Sequence, residues 1–135
     1  MRIVLDTNVL LSALLTGGGN PGHTLSLVLD RTVVVLLDAR LLAEYHEVTS
    51  RSEFAISRPL RDAVLTRLDE VAEHITALPL KLALPDPDDR CFVEVAVAGQ
   101  ADAIVTGNVK HFVPRKGVLA VRVLTPRQFV DRLRR

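Results

Sequence analysis

Four side chains spread over a hundred residues hold the chemistry this sequence offers: Asp6, Glu44, Asp89 and Asn108. Asp6 closes the run Ile3-Val4-Leu5, whose consecutive apolar residues fit a strand covered on both faces. It stands at the carboxyl end of that strand, where open α/β sheets place their ligand crevice. Asp89 belongs to Asp86-Pro87-Asp88-Asp89, which opens a helix expected to run to about Gly99. At about 100° per residue, Phe92, Val93, Ala96 and Val97 share its direction, so its carboxylate faces the packed side. An unpaired charge there is costly. The competing reading is an acid that merely favours the helix dipole, which suits Asp86 and Asp88 well. Glu44 edges an apolar side formed by Leu41, Leu42, Tyr45 and Val48; it is either a site acid or a solvated, arginine-paired residue. Asn108 follows the strand Ala103–Thr106 as Asp6 ends the first, with Thr106 and Gly107 supplying a hydroxyl and a bendable backbone. A plain strand-end turn is the alternative there.

Three carboxylates and an amide are all oxygen donors, a set that suits Mg²⁺ or Mn²⁺ rather than zinc. The four histidines, His23, His46, His74 and His111, show no metal-type spacing. Gly17-Gly18-Gly19 lacks the lysine and preceding strand of a phosphate cradle, and no Ser/His/Asp set is evident. What oxygen-only sites do well is phosphodiester hydrolysis, in which bound Mg²⁺ activates water and steadies the charged transition state.

The elements that must position these groups alternate. Thr7 is placed to cap a helix to about Leu15, and Thr16–Gly22 reads as a loop before a short helix from His23 to Asp30. Thr32–Leu37 reads as a buried strand and Asp38 as the cap of a helix from Ala39 to about Ser50. An amphipathic helix is expected from Pro59 to about Ile75, a short strand over Ile75–Leu78 and a connector over Pro79–Pro85. Strands over Ala103–Thr106 and Val118–Leu124 and a helix from Pro126 complete the chain, with Asp102 read as a turn or cap at the far end of its strand. This order implies a single α/β domain over residues 1–135, with a mostly parallel central sheet and helices on both faces.

Its 135 residues are enough for one full core and too few for two. Apolar runs fall well short of the roughly 20 residues a membrane helix needs, so no membrane partner is expected. The single cysteine, Cys91, leaves no internal disulfide framework and fits a reducing cytoplasm. Net charge is only +1, yet Lys110 to Arg135 holds eight basic residues against one acid. The first 109 residues hold nine basic and fifteen acidic ones. A basic tail beside acidic clusters can hold a polyanion near bound cations; a solvated C-terminal helix is the plainer alternative.

Taken together, Leu5-Asp6-Thr7-Asn8-Val9, mid-chain Glu44, Asp88-Asp89-x-x-Phe92-x-x-x-Ala96 and Thr106-Gly107-Asn108-x-x-x-Phe112 resemble the PIN-domain ribonucleases. Among these, the chain is most similar to the VapC-like toxin components of bacterial toxin–antitoxin pairs, over nearly its whole length and in the right order. The resemblance implies a three-layer PIN-like fold and Mg²⁺-dependent endonucleolytic cleavage of RNA. It makes Asp6, Glu44 and Asp89 acidic site residues and puts Asn108 where the family has a fourth acid or, often, Asn. Thr7 and Thr106 match small polar residues lining that site, with Asp88 beside them. It also implies a homodimer and an antitoxin whose tail covers the groove, and it points to Lys110, Arg115 and Lys116 as RNA-facing. On this reading Asp6, Asp89 and Asn108 hold the metal, while Glu44 holds or orients the attacking water or a second ion. Asn in place of Asp leaves the site one charge short, which favours one tightly held ion over two. Two rivals stay open: a PIN fold that binds RNA or protein without cutting, and a phosphohydrolase with Asp6 as nucleophile. The latter class wants a second acid where Asn8 stands.

Overall fold

A computed structural model describes residues 1–134. Five strands form the sheet: β1 (Arg2–Leu5), β2 (Val34–Leu37), β3 (Glu73–His74), β4 (Ala103–Val105) and β5 (Arg122–Leu124). Their spatial order is β3-β2-β1-β4-β5, and every pairing is parallel. Six helices connect and cover them: α1 (Thr7–Thr16), α2 (Gly19–Leu29), α3 (Ala39–Thr49), α4 (Arg58–Val71), α5 (Arg90–Ala98) and α6 (Pro126–Leu133). Ile3, Val4 and Leu5 are all fully buried, as are Val35, Leu36 and Leu37. Successive strand residues point to opposite faces, so helices must cover both sides of the sheet. This is the expected α/β architecture, with the sheet parallel throughout rather than mostly so.

The chain leaves β1 toward β2 on one side, and β4 returns to pair β1 on the other, Leu5 opposite Val105. The carboxyl ends of β1 and β4 therefore open side by side at the point where the strand order reverses, which is where open α/β sheets form a crevice. Asp6 extends this pairing, its N–H donating to the Val105 carbonyl at 2.9 Å.

Several boundaries differ from the sequence expectation, each for a local reason. The Thr16–Gly22 loop is shorter than expected: Gly17, at φ 70°, ends α1, and α2 begins at Gly19 with Asn20, Pro21 and Gly22 in its first turn. Proline is tolerated there because the N–H it lacks would have no helical partner. Thr7 does not cap α1; Asp6 does, accepting from the Thr7 N–H at 2.8 Å. α4 stops at Val71, and the short strand is Glu73–His74, in register with Leu36 and Leu37, not Ile75–Leu78. Asp86 opens a 3-10 turn over Pro87–Asp89, and α5 proper starts one residue later. β2 and β5 are also shorter than expected, since residues 118–120 leave the sheet and Val118 stands 93% exposed. Asp102 accepts from the Arg2 N–H at 2.7 Å, at the far end of β1 from Asp6, as expected.

Candidate active site

Asp6 is the anchor. Burial leaves it 6% exposed, and both carboxylate oxygens are engaged: one by the Thr7 N–H, the other by the Thr106 hydroxyl at 2.7 Å. Thr106 immediately follows β4, so this bond closes the crevice floor from its second wall. The same hydroxyl oxygen accepts from the Asn108 N–H at 3.0 Å, which aims the Gly107–Asn108 turn at Asp6. Asn8 helps from the other side, its Oδ1 accepting from the Gly107 N–H at 3.0 Å.

The remaining acids arrive on helices. Tyr45, fully buried, donates its hydroxyl to the Leu5 carbonyl and fixes α3 against the end of β1. The preceding residue, Glu44, is then brought to α1, where it accepts from the Thr7 hydroxyl. Asp89, half-buried, ends the 3-10 turn before α5 rather than lying a turn inside the helix. No hydrogen bond ties Asp89 to Asp6, but the two charges face each other closely enough to interact.

All three acids are raised, and for Glu44 and Asp89 the charge of Asp6 contributes. Asp6 is pushed above its ordinary value by burial, against the opposing bonds from Thr106 and Thr7 and the nearby charge of His111. Glu44 is raised by burial first and by Asp6, Asp88 and Glu47, with the Thr7 hydroxyl pulling the other way. Asp89 is raised to about 6 by burial, then by Asp6, Asp86 and Glu44, with His111 opposing. Perturbed acids in a crevice are candidates for a functional site. Here the first cause for each acid is burial, with neighbouring carboxylates adding to it for Glu44 and Asp89.

The structure thus brings together Asp6, Thr7, Glu44, Thr106 and Asn108, with Asp89 in electrostatic contact and Asp88 beside Glu44. Lys110 lies on the 3-10 turn Val109–Phe112 just past the site, and Arg115 and Lys116 on the loop beyond it; all three are exposed. Among the described residues, no three Asp, Glu, His or Cys side chains already stand at coordinating distance from one point. A cation would have to gather them.

Four contributors escaped the sequence reading. His111 has no metal-type spacing, yet the 3-10 turn places it three residues from Asn108, and its Nε2 lies 2.9 Å from the Asn108 amide nitrogen. Asn8 gave only a faint signal, two residues after Asp6. Arg40 and Glu94 gave none. The Arg40 guanidinium joins Glu94 on α5 at 2.7 Å and Asp38, the cap of α3, at 2.8 Å. The other Glu94 oxygen accepts from the Leu80 N–H at 2.8 Å, tying in the connector that leads to Asp89. These contacts brace the two helices that present Glu44 and Asp89.

A parallel three-layer α/β domain with acids at the carboxyl ends of β1 and β4 and on two flanking helices defines the class. A sequence model of the PIN domain family matches residues 2–110, and the chain belongs to that family. Its fold is similar to a chain in the crystal structure of VapBC2 from Rickettsia felis bound to a DNA fragment from the promoter. That match has a TM-score of 0.59 and 18% sequence identity over 93% of this chain and 98% of that one. No curated protein sequence matches the chain.

Proposed function

We propose that this protein is a divalent-metal-dependent endoribonuclease and the toxin component of a type II toxin–antitoxin pair. The observation that carries the reading is the set Asp6, Glu44 and Asp89, three carboxylates that burial raises above their ordinary values, with the charge of Asp6 raising the other two further. Such a cluster is relieved by a hard cation, and carboxylate, amide and hydroxyl oxygens fit Mg²⁺ or Mn²⁺. Asp6, Asp89 and Asn108 would hold the ion, with Glu44 orienting the attacking water or a second ion. Bound there, it would supply an activated water and stabilise charge at the scissile phosphate.

The protein's own part is positioning. Thr106 and the Thr7 N–H fix Asp6, while the Thr7 hydroxyl fixes Glu44. Held there, Glu44 is placed to orient the attacking water. Lys110, Arg115 and Lys116 would hold the RNA backbone beside the acids. Partners follow the same line: an antitoxin protein, as in the two-protein VapBC2 complex, and a second copy of this chain. No helix among the described residues is long and apolar enough to cross a membrane, and we place the protein in the cytoplasm.

Purified protein with Mg²⁺ should cleave single-stranded RNA, and Asp6→Asn should abolish cleavage without lowering the melting temperature. Equal cleavage by Asp6→Asn would overturn the site assignment. One observation favours a second reading, a non-cutting PIN fold: position 108 offers a neutral amide, its nitrogen held by His111, where an acid would add a negative charge to the site. That reading requires no Mg²⁺-dependent cleavage by the wild type.

A further inference from the structure

An apolar groove of about 300 Å³ lies outside the acid cluster, between the turn after β4 and the strand β5. Val109, Phe112, Val113, Val118, Leu119 and Val123 line it. Val113 and Val118 stand 57% and 93% exposed, which is unusual for two valines so near each other in the chain.

Two further features say what kind of partner fits. First, β5 is the end strand of the sheet and pairs only with β4. The Leu124 carbonyl accepts from Thr106 on the β4 side, so alternation turns the Val123 N–H and carbonyl to the open side, and neither has a backbone partner among the described residues. A free parallel edge invites another strand. Second, Lys110, Arg115, Lys116 and Arg122 are exposed along the lining segments, and none forms an ion pair among the described residues. Nucleic acid would meet the same charge, but the groove offers it no stacking surface: its one aromatic side chain, Phe112, is 2% exposed.

We propose that the β5 edge is a docking site for an extended polypeptide segment with alternating aliphatic and acidic residues. The segment adds a sixth strand along Val123, seats its aliphatic side chains among Val113, Val118 and Leu119, and lays its carboxylates on Arg115, Lys116 and Arg122. Bound there, it also covers cations next to the acid cluster. The inference does not depend on the nuclease reading.

The test uses the full chain carrying Asp6→Asn, with a phage-displayed library of random peptides of about twelve residues, a length that spans one strand and its flanks. Selection should enrich alternating aliphatic–acidic sequences. A synthetic peptide of the enriched sequence should protect the Val123 amide from hydrogen exchange. It should bind Val118→Asp at least about tenfold more weakly, roughly one decade in Kd. Val118 is nearly fully exposed and outside any helix or strand, so this variant keeps the fold. No enrichment, enrichment of basic peptides, an unprotected Val123, or equal binding to Val118→Asp would each overturn the proposal. If oligouridylate protects the Val123 amide and the peptide does not, the groove belongs to RNA and the proposal fails.

Discussion

Asp6 is held by two hydrogen bonds in a place where its charge is poorly solvated, and both facts bear on substitution. Asp6→Asn keeps the shape and removes a desolvated charge, so the metal-free variant should melt at or above the wild-type temperature while losing activity. Thr106→Val keeps the shape but removes the donor to Asp6 and the acceptor for the Asn108 N–H. It should cost about 1–3 kcal/mol in chemical denaturation and lower cleavage further than that loss explains. Asp89 gives a pH dependence with a defined sign. Its folded value of about 6 exceeds the ordinary 3.8, so between them the folded state keeps a proton that the unfolded chain has released. Its contribution to metal-free stability is thus full below 3.8 and is lost as pH rises through about 6. Asp6 and Glu44, raised for the same reason, act in the same direction. Thermal melts in EDTA should show this fall between pH 4 and 7, with Asp89→Asn flattening it. A rise in wild-type stability relative to Asp89→Asn over that window would contradict the assignment.

At the scale of elements, the site depends on α3 and α5 keeping their distance. Glu94, almost buried, accepts from Arg40 and from the Leu80 N–H. Glu94→Leu would leave that N–H and the guanidinium short of a partner, costing about 1–3 kcal/mol. Gly99, at the end of α5, has no free space for a side chain: a Cβ there would stand 2.6 Å from Leu36 Cδ1 and 3.1 Å from the Val95 carbonyl oxygen, so the buried Leu36 would have to shift. Gly99→Ala should cost about 1–3 kcal/mol by overpacking, read from the denaturation midpoint. Neither position was legible in the sequence. Glycine after a helix reads as an ordinary stop, and a glutamate between Val93 and Val95 gives no sign of an arginine fifty-four positions away. The strands, by contrast, were legible because their burial on both faces leaves apolar runs with no polar alternation. Their ends were not: β5 begins at Arg122, opposite the first residue of β4, and not at Val118 where its apolar residues begin.

For the whole molecule, Asp6 could be read from the end of a buried strand, whereas Asn108, at the end of a second, read first as a turn and needed family resemblance. Asp89 was legible as an acid near a packed helix face, although it sits in the turn before that helix. Glu44 needed family resemblance, and His111 needed the fold. The charge distribution carries its own prediction. If Lys110, Arg115 and Lys116 contact RNA phosphates, changing all three to Ala should reduce the slope of log affinity against log salt by about 2, at roughly 0.7 per contact on single strands. The central claim is that distant acids form one cation-holding centre, and Mg²⁺ titration calorimetry at neutral pH tests it most directly. The wild type should take up Mg²⁺, with proton release growing as pH falls toward about 6, and Asp6→Asn and Asp89→Asn should each abolish uptake. A wild type that binds no Mg²⁺, or an Asp6→Asn that binds it equally well, would contradict the account.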